Sequence, residues 1–220
     1  MILINFKIYK ETFGEGAIKL AGICKKIMES SGVKIIPVVS ALDADKIIKA
    51  TGLEVWLQHV DAEDEGAKSG FISRIQAKSI GIAGSLLNHS EHKLKPGTIK
   101  KILKSWPDNF KSVVCLQSWG QAEGWAKNIK PTYVAYEPSE FIGSREKSVA
   151  TEKPELIKKM AEFYKSVPLL VGAGVHSKED VQISLKLGAK GVLVATDVVR
   201  ADDPEKELRE LAEGFKTQSS

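Results

Sequence analysis

The sequence predicts an α/β fold, a (β/α)8 barrel of eight parallel strands ringed by outer helices, on three observations. Short apolar, β-branched runs alternate with helix-period segments from one end of the 220 residues to the other. There are eight such runs, the number that closes a parallel barrel. None shows sustained polar alternation, as strands covered on both faces require.

The expected strands are Ile2–Phe6, Lys34–Val38, Glu54–Gln58, Gly81–Leu87, Ser112–Leu116, Thr132–Tyr136, Pro168–Val171 and Gly191–Ala195. After the first, Ala17, Leu20, Ala21, Cys24, Ile27 and Met28 recur at helical spacing, and Ile157, Met160, Ala161 and Tyr164 do so before the seventh. Ser177 with Asp180 reads as a capping box that opens the helix after strand seven, and Gly188 ends that helix. Asp203-Pro204 reads as an N-cap followed by first-turn proline, ahead of a buried stripe of Leu208, Leu211, Ala212 and Phe215. A doubly wound open sheet would want a glycine-rich fingerprint after the first strand, and there is none. Nor does any Pro/Gly/Ser-rich linker break the pattern, so one barrel domain over residues 1–220 is expected. A barrel of this kind typically takes ~250 residues, so helices and loops should be trimmed.

A hydrophobic fraction of 43% with 27% charged residues is that of an ordinary globular chain, and no apolar run approaches the ~20 residues that span a bilayer. The first strand begins at Ile2, with no room before it for a signal peptide, and Cys24 and Cys115 sit in apolar patterns as reduced core thiols. A cytoplasmic protein without a membrane partner is the expectation. A net charge of +4 spread over scattered lysines argues against a nucleic-acid partner and suits a small anionic substrate.

Three segments at strand ends carry the chemistry: Asn5-Phe6-Lys7, Leu87-Asn88-His89-Ser90-Glu91 and Val134-Ala135-Tyr136-Glu137-Pro138. The C-terminal ends of barrel strands are where active sites form. Strand parity puts Asn5 and Lys7 on one face when Phe6 packs outward. Ser90-Glu91 can begin a helical turn whose amides, with their partial positive charge, disfavour a charged His89. Glu137 is confined to extended backbone by Pro138, and Ser139-Glu140-Phe141-Ile142-Gly143-Ser144 after it reads as a lid. Alone, each residue has a bland reading: a solvated lysine, a loop histidine, a surface glutamate. His59, Asp61 and His92 raise a metal reading, but their spacing fits no usual zinc pattern. Glycine-rich turns at Gly143-Ser144 and Gly172-Ala173-Gly174, with Ala195-Thr196 after strand eight, let backbone amides approach a phosphate.

These segments, in this order, resemble the triosephosphate isomerase family, and the chain looks most like its short forms. The resemblance implies interconversion of dihydroxyacetone phosphate and glyceraldehyde 3-phosphate without cofactor or metal. It implies Glu137 as the base, His89 as a neutral electrophile, Lys7 and Asn5 as their supports and Glu91 as the second carboxylate after His-Ser. Gly143, Gly174, Ala195 and Thr196 match its phosphate turns, to which Ser144, Gly172 and Ala173 belong by position. Gly66–Ser73, with Ser69-Gly70 at its tip, resembles the loop that such enzymes insert into a neighbouring subunit, which implies a homo-oligomer, dimer or tetramer. Three departures stand out: the lid's Gly143-Ser144-Arg145-Glu146-Lys147 tip, Asp197 in place of a small residue, and His92-Lys93 in place of a basic pair that usually contains arginine. Two other readings are another phosphate-binding barrel, such as a sugar-phosphate epimerase or synthase, and a barrel kept as a binding protein.

Overall fold

In the computed structural model, which describes residues 1–105, 109–144 and 146–216, eight parallel strands pair in sequence order and close on themselves. They are β1 (Ile2–Asn5), β2 (Ile35–Val39), β3 (Trp56–Leu57), β4 (Gly84–Leu87), β5 (Lys111–Leu116), β6 (Tyr133–Tyr136), β7 (Leu169–Gly172) and β8 (Gly191–Val194). The closing seam sets Ile2 beside Ile35 on one side and Val192 on the other. All eight lie within about two residues of their expected positions, except that β3 is cut to two residues and β4 starts at Gly84. Gly81, with φ +90°, still belongs to the turn that leaves the preceding helix.

The helices are α1 (Glu15–Ser31), α2 (Ala44–Thr51), α3 (Arg74–Ser79), α4 (Pro96–Lys104), α5 (Trp119–Glu123) and α6 (Val149–Glu152), then α7 (Pro154–Phe163), α8 (Lys178–Lys186), α9 (Thr196–Val199) and α10 (Pro204–Glu213). α1 buries Ala17, Leu20, Ala21, Cys24 and Ile27. Each large side chain so buried is worth ~1.5–3 kcal/mol, which outweighs the ~1 kcal/mol that a helix-interior glycine such as Gly22 costs. The Ser177–Asp180 capping box on α8 and the Asp203 cap on α10 form as expected.

Parity divides the core in two. Ile2, Ile4 and Phe6 point outward under the helices, while Leu3, Trp56, Leu86, Cys115, Ala135 and Leu193 fill the barrel interior. Trp56 has room there because Gly84 has no side chain; a Cβ on Gly84 would lie 2.7 Å from the indole. A filled interior leaves the mouth at the C-terminal strand ends as the place where polar side chains converge. Among the described residues no helix is long and apolar enough to cross a membrane.

Candidate active site

Just past β1, β4 and β7 stand three non-glycine residues with left-handed backbone: Lys7 (φ 52°), Asn88 (φ 60°) and Ala173 (φ 72°). Such conformations cost free energy and persist where surrounding bonds enforce them. At Lys7 the enforcing bonds are visible. Its N–H donates to Asn5 Oδ1 at 3.0 Å, and its carbonyl accepts from Gln58 Nε2 at 2.9 Å. So held, the chain turns the Lys7 ammonium into the mouth, its side chain only 9% exposed, 2.9 Å from Glu91 Oε1. Asn5 itself is buried.

Asn88 is buried and clamps the next loop. Its Nδ2 donates to Cys115 O at 2.8 Å, its Oδ1 accepts from Leu94 N at 3.0 Å, and its carbonyl accepts from Gln117 Nε2 at 3.1 Å. By capturing the Leu94 amide it gives residues 89–94 an alternative to helix. The helical turn expected at Ser90-Glu91 is therefore a single turn, closed by His92 N to His89 O at 2.8 Å, and α4 waits until Pro96. The electrostatic support comes from one local amide instead. Glu91 N–H donates to His89 Nδ1 at 3.3 Å, which requires a lone pair there and leaves the proton on Nε2. Nε2 faces Glu137 Oε1 at 4.0 Å, and both side chains are buried.

Glu137 follows β6, its amide bonded to Leu116 O at 2.8 Å. Among the described residues its Oε2 is buried without a hydrogen-bond partner. Gly172 makes room for it: a Cβ there would lie 2.7 Å from Glu137 Cγ and 2.9 Å from Oε1. Below it, burial first and the Glu137 carboxylate second push the Cys115 thiol well up, so it stays protonated. Glu137 Oε2 is free to face whatever enters the cavity beside it.

The lid starts with a 3-10 turn, Ser139–Phe141, anchored by buried Phe141 and the Glu140–Lys153 ion pair, and reaches Gly143 at φ +76°. Ser144 turns inward to its own loop, where its Oγ accepts from Lys147 N at 3.0 Å. Arg145 lies outside the described residues. Beneath the lid a cavity of about 30 Å³ is lined by Lys7, His89, Glu137, Gly143, Ala173, Gly174, Ala195 and Thr196. Neither Ser144 nor Gly172 lines it, whereas Asp197 does. Lys7 and His89 also border a wider cavity of about 640 Å³, with Asn5, Gln58, Glu91 and Gly70.

Gly70 and Ser69 are exposed on the loop before α3. The root of that loop is tied to fully buried Arg74, which bonds Asp64 through two nitrogens and Ile102 O at 2.7 Å. His59 and His92 stack ring on ring at 3.9 Å, a geometry that does not converge their nitrogens on one point. Among the described residues no group of three His, Cys, Asp or Glu could hold a metal ion. Sequence reasoning missed Asn88, Gln58 and Gln117, whose one available signal was a polar residue at a strand end.

Compared with known proteins, residues 1–213 match the family model described as triosephosphate isomerase. The chain belongs to the triosephosphate isomerase family. Proteins of that name from Methanothermus fervidus and Archaeoglobus fulgidus are 39% and 38% identical to it over 216 residues, 96% of each chain. One from Thermoplasma volcanium is 35% identical over 213 residues, 96% of this chain and 98% of the relative. Against the resemblance, Asp197 now has a place, on the wall of the small cavity beside Thr196. His92 is accounted for by its stacking on His59.

Proposed function

We propose that this chain interconverts dihydroxyacetone phosphate and D-glyceraldehyde 3-phosphate through an enediolate, with Glu137 as the base and His89 as a neutral proton donor. The observation that carries this reading is the His89–Glu137 pair, ring to carboxylate at 4.0 Å, sharing a cavity with Lys7. A proton next to a carbonyl is weakly acidic, so the developing oxyanion needs donors already in place. His89 Nε2–H and the Lys7 ammonium supply them, and Asn5 fixes Lys7 by accepting its amide. Glu137 Oε2, buried and unbonded, takes the proton from one substrate carbon and returns it to the other. No cofactor enters this chemistry: one carboxylate moves one proton, and no electron leaves the substrate.

Gly143, Ala173, Gly174, Ala195 and Thr196 offer backbone amides to the phosphate, with Ser144 and Gly172 supporting their turns. A cavity of about 30 Å³ is no larger than one water's share of liquid. A shift of the lid around Gly143 makes room there for the substrate, and its return excludes water from the enediolate. The loop tip at Ser69-Gly70 seats in a second copy of the chain. Exposed Ile8 and Leu42, at 78% and 88%, border the wider cavity and give that contact an apolar centre.

A coupled assay of glyceraldehyde 3-phosphate isomerisation, run with and without chelator, tests the reading. Activity insensitive to chelator and lost in Lys7→Ala, His89→Gln and Glu137→Asp is expected. Wild-type turnover in the Glu137 variant would remove the base.

A further inference from the structure

Asp180 stands at the start of α8, outside the small cavity, and is only 2% exposed. Its two carboxylate oxygens have different duties. Oδ2 serves its own helix end, accepting from His176 N at 3.2 Å, Ser177 N at 3.1 Å and Ser177 Oγ at 2.8 Å. A helix cap needs nothing more than that oxygen. Oδ1 instead accepts the hydroxyl of Ser148, 32 residues earlier, at the trailing end of the lid. Ser148 is 1% exposed and also caps α6 by accepting from Thr151 N at 3.1 Å. Next to it, Val149 N–H donates to the carbonyl of left-handed Ala173 at 3.2 Å. Gly174 completes the contact. A Cβ on it would overlap the Lys147 carbonyl and come within 2.9 Å of Ser148 Cα.

We propose that Asp180 is a positioning residue for the isomerisation, pinning the lid's trailing end at Ser148 to the Ala173-Gly174 turn so that the lid always closes onto the phosphate site in one register. The physical reason is the cost of letting go. Withdrawing Ser148 would strand one oxygen of a buried charge. Ser148 is thereby a fixed point, and the Ala173-Gly174 turn it packs against doubles as the fixed side of the hinge. This rests on the reading of Glu137 as the base beneath a closing lid.

The test compares Ser148→Ala with Asp203→Ala, which removes a helix cap of similar kind from α10. The readouts are kcat, KM, thermal midpoint and inorganic phosphate released per turnover. That last quantity reports the lid directly. An enediolate left open to water breaks its C–O bond to phosphate, which departs with the electron pair and leaves the enol of a 2-oxo aldehyde. Ser148→Ala is expected to lower kcat about tenfold and raise phosphate release several-fold, since small misplacement of a closing element is costly. Asp203→Ala should lower the midpoint comparably and leave both rates alone, and Ser148→Thr, which keeps the hydroxyl, should restore them. Asp180→Asn, which turns an acceptor into a donor at Oδ1, should move them in the same direction and serves if Ser148→Ala fails to fold. Turnover within twofold and unchanged phosphate release in Ser148→Ala, or in Asp180→Asn in its place, overturns the proposal, and so does an equal effect from Asp203→Ala. Glu137→Asp in the same assay separates the two failures: if it is inactive while the hinge variants are normal, only the hinge inference falls.

Discussion

Around β1 to β4 the barrel mouth widens into a cavity of about 640 Å³ rimmed by exposed Ile8 and Leu42; around β6 to β8 it narrows to about 30 Å³ under a lid. The narrow half is finished by its own chain: Gly172 seats Glu137, Ala173 and Gly174 meet the lid's end, and Asp180 ties it down. The wide half leaves apolar side chains uncovered next to the same lysine and histidine. Lys7 and His89 border both. The contrast teaches that the base and lid are arranged by intramolecular packing, while the cation and imidazole also border a side that stays open, with apolar side chains on its rim.

The sharpest way to break this comparison is in the narrow half. Glu137→Asp withdraws the carboxylate by a methylene and is expected to lower kcat by roughly 10²-fold or more; steady-state kinetics within a few-fold of the parent would refute it. In the wide half, Arg74→Met leaves Asp64 without its buried partner and frees the loop that carries Ser69 and Gly70. Removing one member of such a pair costs about 3 kcal/mol, measurable by denaturant unfolding, and self-association should weaken with it. A smaller effect is expected of Leu42→Asp, which sets a charge on the exposed rim. Sedimentation should show association weakened roughly tenfold, with kcat following oligomer content and not the fold. A monomer that keeps full activity would mean the wide half needs no completion.

The smallest effect concerns pH. Burial first and the stacked His92 second hold His59 below its ordinary value of 6.5. The unfolded chain therefore takes up a proton before the folded one does, and stability falls as pH drops through that ordinary value. His59→Gln should flatten the decline expected in thermal midpoints between about pH 7 and 5. An unchanged slope would show that the stacked rings carry none of it.

Much of this was legible in the residues because two independent periodicities agreed. Phe6 outward and Asn5 inward followed from strand alternation, and Cys115, interior between outward Val114 and Leu116, obeyed the same rule. Lys7, His89 and Glu137 stood out because each ends a strand in a recognisable segment. The left-handed backbones at Lys7, Asn88 and Ala173 did not, since nothing in a non-glycine residue announces φ above zero; Gln58 braces the first and Gln117 the second. The turn after His89 was readable, but its stopping at a single turn was not, because Asn88 takes an amide that a longer helix would have used. Asp180 was readable as a cap but not as a tie to the lid, since its second oxygen reaches across 32 residues.

The seam between β1 and β8 bears on how such an enzyme comes into being. Met1 packs against Gly191, and Ile2 pairs with Val192, so the first strand waits for the eighth to be made. A nascent polypeptide of 180 residues already owns its lysine, imidazole and carboxylate, yet it has no ring to set them in. Competence during synthesis should arrive abruptly, once the eighth strand leaves the exit tunnel, instead of growing with length.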